Sequence, residues 1–532
     1  MKKIVLLYIA CALFSACSNK LDVAPPNSLT DEQIRELLAK GDAATIDLIL
    51  GSMANNMPLL VNSGGTGSAG SDARYSSPQG LGVMKNLEAN DIVFGDRALT
   101  IFGGDEYRFL DFISAESDKN APHWNYGWNL VTQANKMLNF LDDQTVGSNV
   151  KLKEYKARGL TLRAYAYSYL MENYQDAFLQ GGKDKLGVPL YDFYYPIQPG
   201  KARASSVETY NFIKNDLTTA FQLFSEAGVG YTTNLADFDL GVVNFLIAKV
   251  ALATGDWATV IAKSNDILAK YPTLLPETVY GGRNTGTPQI PEIRPEKNGF
   301  LDNSANPEVI LGYPVGQAAV VHNYWMNPFA EGNGGLGEGY ERIDKRLYDK
   351  IDTRDFRRSA FLETAWGNYT YPTNNIIRTI PAYTNLKFAA THGVGSNDKK
   401  EVNSRVTAFY MRSSEVLLMK AEAQAQGTQP ATAKETLNVL LAARTKQGQP
   451  ALTCDNYASM AGLTPLQMVQ LQTRIELWGE GGREFFNNKR WNIAVDRTSS
   501  TNHVDKSTYP VAKMTLQIPL DEILYNDKAV QN

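Results

Sequence analysis

The sequence predicts a mainly α protein of tetratricopeptide-like helical hairpins, with an irregular subdomain of loops and small strands. Three observations predict it. Helical periodicity recurs over 124–141, 150–174, 206–226, 240–254, 257–270, 412–426, 430–444 and 465–478. Two pairs of these segments are joined by very short turns, Gly255-Asp256 in one and Gly427-Thr428-Gln429 in the other. Both pairs place alanine where paired helices would meet: Ala248, Ala251, Ala253 and Ala262, then Ala421, Ala423, Ala425 and Ala433. Small residues at that spacing let hairpin helices approach closely. The two pairs are not contiguous, and a four-helix bundle gives a similar local pattern. Third, the segments 61–82, 272–340 and 362–405 are rich in Gly, Pro, Asn, Thr and aromatics. The middle one is far too long for a simple connection. Within it, 302–313 is expected to end in a short strand.

Taken in order, the chain opens with Lys2 and Lys3, an apolar run over 4–14, and the small residues Ser15 and Ala16 before Cys17. That is the layout of a secretory signal, and the run is too short to span a bilayer, which takes about 20 residues. The cysteine after small residues resembles a bacterial lipobox, in which the thiol is acylated and becomes the new N-terminus. An ordinary cleaved signal with a coincidental Cys17 is the alternative. The expected organisation is a signal peptide over 1–16, a lipidated tether over 17–30, and a single unit over 31–532. Pro25 and Pro26 forbid a helix in the tether. Thr30, followed by Asp31, Glu32 and Gln33, opens the first helix as a capping box.

Composition narrows the function. Formal charge is −4, and Lys2 and Lys3 leave with the signal, so the mature chain is near −6. No Lys/Arg block is present, which argues against nucleic acid. Of 3 cysteines, Cys11 lies in the signal and Cys17 is expected to carry lipid, leaving Cys454 as a buried or inert thiol. No internal disulfide can form, so stability must come from burial. The 27 Tyr, 21 Phe and 7 Trp supply flat rings with polar edges, which suit sugars and peptides as well as core positions.

Motifs for catalysis fail on context. The run 65–70 matches G-x-G-x-x-G but lacks the strand before it and the helix after it that a dinucleotide site needs. His123, His322, His392 and His503 are widely separated, so neither a metal site nor a Ser-His-Asp triad is expected. Glu476 and Glu480 lie four apart, as acid and base of a glycosidase could. They are, however, interleaved with Arg474, Arg483, Lys489, Arg490, Trp478 and Trp491, which reads as a structural ion-pair lattice. No catalytic residue, cofactor or metal is expected.

The same stretch, Arg-Ile-Glu-Leu-Trp-Gly-Glu-Gly-Gly-Arg-Glu-Phe-Phe-Asn-Asn-Lys-Arg-Trp over 474–491, closely resembles the C-terminal signature of the SusD/RagB family of outer-membrane nutrient-binding lipoproteins. So do Tyr-Met-Arg-Ser-Ser-Glu-Val-Leu-Leu-Met-Lys-Ala-Glu-Ala over 410–423, Ala-Arg-Gly-Leu-Thr-Leu-Arg-Ala-Tyr-Ala-Tyr over 157–167, Gly255-Asp256-Trp257, Ile-Pro-Leu-Asp-Glu over 518–522, and the tether with Leu21-Asp22 and Pro25-Pro26. The resemblance covers nearly the whole mature chain. It implies a SusD-like α-α superhelix, anchored by lipid at the outer membrane and exposed at the cell surface. It also implies a partner, a SusC-like TonB-dependent transporter, and an oligosaccharide cargo, or a peptide in some members. Arg412, Glu415, Arg474, Glu476, Trp478, Glu480, Arg483, Arg490 and Trp491 are the motif residues, and the resemblance implies a scaffold role for them. Ligand in such proteins is held by loop aromatics and polar groups, for which this chain offers Arg74, Tyr75, Tyr324, Trp325, Trp366, Tyr369 and Tyr371. The rival readings are peptide capture, a surface glycoside hydrolase, and a solenoid adaptor for envelope proteins.

Overall fold

The computed structural model describes residues 29–55, 61, 78–95, 104–112, 114–117, 120–197, 199–314, 326–330, 339–372, 375–393, 407–427 and 429–532. The expected signal, Cys17 and all but the last two tether residues lie outside them, as do Arg74, Tyr75, Tyr324 and Trp325.

Helix α1 (Asp31–Lys40) opens on the expected capping box: Thr30 Oγ1 accepts from Gln33 N at 3.2 Å, and Gln33 Oε1 accepts from Thr30 N at 2.9 Å. Two further helices escape the periodicity reading. Helix α2 (Ala43–Asn55) buries Ile46, Leu50 and Ala54. Contrary to the loop expected over 61–82, helix α3 (Pro78–Leu87) begins inside that segment. It is buried along nearly its whole length, so no polar face marks it. Two glycines weaken its intrinsic propensity by about 1 kcal/mol each. Packing requires one of them: a Cβ on Gly82 would meet Gly481 Cα at 2.8 Å.

The scaffold proper follows the predicted hairpins. Helix α4 (Ala121–Leu138) packs on α5 (Val150–Tyr174), and Gly127 makes this possible, since a Cβ there would lie 2.5 Å from the Leu170 side chain. Helix α6 (Ser206–Glu226) starts at a second capping box, Ser205 with Glu208. Asp239 caps α7 (Leu240–Thr254), Gly255 ends it at φ 81°, and Asp256 caps α8 (Trp257–Leu268). The second hairpin is α9 (Ser413–Gln426) with α10 (Pro430–Ala443), followed by α11 (Pro465–Glu476), α12 (Arg483–Trp491) and α13 (Leu520–Tyr525).

Helix α8 packs directly on α9, so the two hairpins that are separated in sequence are neighbours in space. The long segment between them leaves the helical stack and returns to it. Ala248, Ala251, Ala421, Ala423 and Ala433 are buried as expected, whereas Ala262 faces solvent. Its position lies one face away from the contact, so it serves propensity rather than packing.

Among the described residues the strands form four two-stranded antiparallel pairs. They are β1 (Ile92–Val93) with β3 (Arg342–Ile343), β2 (Val309–Pro314) with β6 (Thr407–Arg412), β4 (Trp366–Thr370) with β5 (Ile377–Ile380), and β7 (Val495–Asp496) with β8 (Thr508–Tyr509). The strand expected at the end of 302–313 is β2. The largest apolar core lies among α1–α8. A second joins α9–α11 to the returning segments, and a small third cluster belongs to the β4–β5 hairpin. Among the described residues no helix is long and apolar enough to cross a membrane.

Candidate functional site

Two constructions stand out, a charged lattice under α9 and an aromatic cluster at the β4–β5 hairpin. The lattice forms because β6 ends at Arg412, where α9 begins, and points that guanidinium into the interior. Arg412 donates to Glu308 at 2.6 Å, to Glu476 at 2.9 Å and to Glu480 at 2.8 Å. Arg444, at the end of α10, donates to both oxygens of Glu476, at 2.8 and 3.0 Å, and to Glu308 at 2.7 Å. Arg357 adds a third guanidinium on Glu476 at 3.0 Å, while pairing with Asp355 at 2.6 Å. Lys387 Nζ reaches Glu480 at 2.6 Å and the carbonyls of Glu476 and Trp478 at 2.9 and 2.8 Å. Four cations thus meet four carboxylates, and all are buried or nearly so.

Burial alone would raise the Glu476 carboxyl, but Arg444, Arg412 and Arg357 hold it well below the usual carboxylate range. Burial lowers Lys387 to about 8 against the pull of Glu480. A fully enclosed Glu476 held on its ionised side by three guanidinium groups is poorly suited to give a proton to a leaving group. The remaining motif residues stitch segments together. Arg474 holds Asp91, with its Nε at 2.8 Å, and Trp478 Nε1 donates to Asp91 O at 2.9 Å. Arg483 bridges Glu415 at 2.9 Å and Tyr410 O at 2.7 Å. Arg490 and Trp491 share Glu422, the indole at 2.9 Å. Gly479, Gly481 and Gly482 turn the chain between α11 and α12 at φ 73°, 58° and 76°, where a side chain would be strained.

Asp91, Glu308, Asp355, Arg357, Lys387 and Arg444 complete the lattice, and the sequence reading did not pick them out. The available signal was charge balance: buried arginines demand buried partners, but nothing local says which ones.

In the aromatic cluster Phe329, Tyr340, Tyr369 and Tyr371 pack with Ile293, Leu362 and Ile380. Tyr369 meets Phe329 edge-to-face at 5.2 Å and Tyr371 at 4.8 Å. The Tyr371 hydroxyl donates to Pro328 O at 2.7 Å, and burial pushes it well above the usual phenol range. Of the candidate ligand residues, Tyr369 and Tyr371 therefore have their rings inside the cluster, 4% and 0% exposed. Trp366 lies against its edge, 6.2 Å from Phe329, and keeps part of its surface in solvent. Asn368, at φ 60°, turns the hairpin edge beside it. The four remaining candidates lie outside the described residues.

Among the described residues no group of three or more His, Cys, Asp or Glu is placed to hold a metal ion. Cys454 is buried, and burial pushes its thiol up to about 11. A thiol held protonated is a poor nucleophile.

Two family models match the chain: one described as the SusD family, over residues 282–532, and one described as "Starch-binding associating with outer membrane", over 87–234. Among curated proteins nothing matches. Solved structures share the fold. A SusD-like carbohydrate binding protein from Bacteroides vulgatus is 18% identical, with a TM-score of 0.66 over 92% of this chain and 97% of that one. A putative sugar binding protein from the same species is 17% identical, with 0.67 over 93% and 99%. A SusD superfamily protein from Bacteroides thetaiotaomicron is 17% identical, with 0.65 over 95% and 100%.

Proposed function

The chain belongs to the SusD family, and from that premise we propose that it is a non-enzymatic lipoprotein of the outer membrane that captures oligosaccharide. Cys17 carries the lipid, residues 18–30 are the tether, and the body delivers its cargo to a SusC-like TonB-dependent transporter. The observation that carries the reading is the pairing of a rigid scaffold with a loop cluster that leaves Trp366 partly open. A flat indole stacks on the apolar face of a sugar ring, and neighbouring polar groups bond the hydroxyls. The solved relatives named for carbohydrate and sugar binding favour oligosaccharide over peptide as cargo. The arginines on Glu476 argue against the hydrolase reading, since both oxygens of that carboxylate are already engaged.

A glycan array with the full mature chain tests the cargo. Binding of a defined oligosaccharide, without turnover, supports the reading. Binding of peptides alone, or hydrolysis that disappears in Glu476→Gln, overturns it. Anchoring has its own test. Cys17→Ala should move a folded, ligand-competent protein from the membrane fraction to the soluble one, and retention in the membrane would show that the signal is misread.

A further inference from the structure

Helix α4 carries a stripe of rings that the scaffold does not use up. Trp124, Trp128, Val131 and Asn135 recur at helical spacing, with Asn125 and Thr132 on their border. Together with the 191–194 segment and α13, this face encloses an open groove of about 360 Å³, the size of a small-ligand site. Phe193, Tyr194 and Tyr525 complete its walls, and Tyr525 is 87% exposed. Trp124 and Tyr191 belong to the first apolar core, whereas Trp366 packs on the third. The groove is therefore separate from the β4–β5 hairpin.

We propose that this groove is a second carbohydrate site, one that takes a neutral oligosaccharide. The proposal extends the oligosaccharide reading above and rests on it. Its first support is how the polar groups of the lining are committed. Asn135 donates to Tyr191 O at 2.9 Å and accepts from Arg163 at 2.9 Å. Asn526 donates to Lys201 O at 3.0 Å and to Glu522 Oε1 at 2.7 Å. Those two amides are spent inside the wall. The Asn125 amide, the Thr132 hydroxyl, the hydroxyls of Tyr194 and Tyr525, and Glu522 Oε2 have no partner among the described residues, and all five residues line the groove. A sugar ring has an apolar C–H face and a rim of hydroxyls. Aromatic rings beside uncommitted hydroxyl, amide and carboxylate groups are its complement.

The second support is that the backbone of the groove is already bonded. An extended peptide is recognised largely through backbone donors and acceptors. Here Tyr191 N donates to the Tyr167 hydroxyl at 2.7 Å, and Tyr191 O accepts from Asn135. The Asn139 side chain brackets Tyr194, donating to its carbonyl and accepting from its N–H, both at 3.0 Å. The α4 wall bonds its backbone within the helix. Side-chain hydroxyls and amides are what the groove has to offer, and they suit a sugar better than a peptide.

The third support is charge, which narrows the sugar. Among the described residues Glu522 is the only charged one in the lining. Lys136 and Lys201 lie over the Tyr194 and Tyr191 rings at 5.1 and 5.0 Å, outside the lining, and Lys201 donates to Leu190 O at 2.8 Å. A carboxylate with a free oxygen accepts from sugar hydroxyls in strong, charge-assisted bonds. The same carboxylate repels a uronic or sulfated sugar, for which the lining holds no cation.

Fluorine NMR of the full chain carrying Cys17→Ala and Tyr525→fluorotyrosine tests the proposal, because the label reports on the groove and not on the hairpin. Maltoheptaose, cellohexaose, xylohexaose and mannohexaose are the neutral probes, and hexagalacturonate is the anionic one. At least one neutral probe should shift the resonance saturably. Its dissociation constant should be unchanged by Trp366→Ala and raised about fivefold by Asn125→Ala/Glu522→Gln, at an unchanged melting temperature. Hexagalacturonate should leave the resonance in place. A resonance unmoved by all four neutral probes overturns the proposal, as does a response that weakens with Trp366→Ala or ignores the Asn125→Ala/Glu522→Gln change. Saturable binding of hexagalacturonate overturns the neutral assignment. A shift that follows protein concentration alone assigns the groove to a second copy and equally overturns it. Glycan-array binding that persists beside any of these failures leaves the oligosaccharide reading standing, whereas an empty array takes both.

Discussion

The lattice around Glu476 and the tyrosine cluster around Tyr371 are both buried and both gather residues from distant segments, yet they are held by opposite means. Each oxygen of Glu476 receives two guanidinium donors, from Arg412 and Arg444 on one and from Arg357 and Arg444 on the other. The cluster is held by ring edges and faces, and its deepest member bonds through one hydroxyl to the Pro328 carbonyl and the Tyr340 hydroxyl. Directional charged contacts admit one arrangement of their partners, because a displaced member leaves a buried charge unpaired. Apolar contacts tolerate exchange of shape at constant volume. The difference teaches where such a chain can vary: the lattice fixes how α9, α10 and α11 meet, while the packing of the hairpin tolerates substitution at constant volume.

The largest effect should come from breaking the lattice. Arg412→Ala would take one guanidinium from each of Glu308, Glu476 and Glu480, leaving Arg444 and Lys387 to balance them in a region closed to water. Removing one partner of a buried pair costs about 3–5 kcal/mol. Urea unfolding of the variant against the parent measures it. A cost below about 1 kcal/mol would mean that the lattice is not what fixes the scaffold, and the contrast with the cluster would collapse.

That contrast also explains what was legible in the sequence. Helices α5, α6 and α7 end where their pattern and caps say, because Ser205, Asp239 and Gly255 act within one turn of themselves. Motif arginines could be read as structural from their alternation with carboxylates. Their partners could not, since Asp91 and Arg474 lie far apart in the chain and meet only in the fold. Helix α3 was hidden because burial on all sides removes periodicity. Tyr369 and Trp366 are three residues apart on one strand, and the register shift between them decides which ring faces inward. No local pattern carries that information.

A second way to sharpen the comparison is pH, because the two regions hold carboxyls shifted in opposite directions. Glu476 lies well below its ordinary value of 4.5 in the fold, so its stabilisation is complete above about pH 4.5 and lost as pH falls further. Glu341, beside Tyr340 of the cluster, is fully buried, and neither carboxyl oxygen has a partner among the described residues. Burial raises it well above 4.5, so its contribution is complete below about pH 4.5 and is lost as pH rises. Glu341→Met should therefore stabilise the protein by about 1–3 kcal/mol at pH 8 and by much less at pH 4. Thermal melting across that range reads the difference. A gain that does not depend on pH would show that Glu341 is paired after all.

The finest test separates two rings within the hairpin region itself. Trp366→Ala removes a ring that is only partly buried, so stability should change by less than about 1 kcal/mol, while affinity for the captured oligosaccharide should fall about tenfold, or roughly 1.4 kcal/mol. Tyr371→Phe keeps the ring and deletes the hydroxyl that Pro328 O accepts, so it should cost about 1 kcal/mol of stability and leave affinity unchanged. Calorimetric titration and urea unfolding of both variants fill the four cells. If Tyr371→Phe weakens binding while Trp366→Ala does not, the cluster interior reaches the ligand and the hairpin edge is scaffold. Cargo would then be selected by the packing beneath the surface, and the separation between a fixed frame and a freely varied face would have to be drawn elsewhere in the chain.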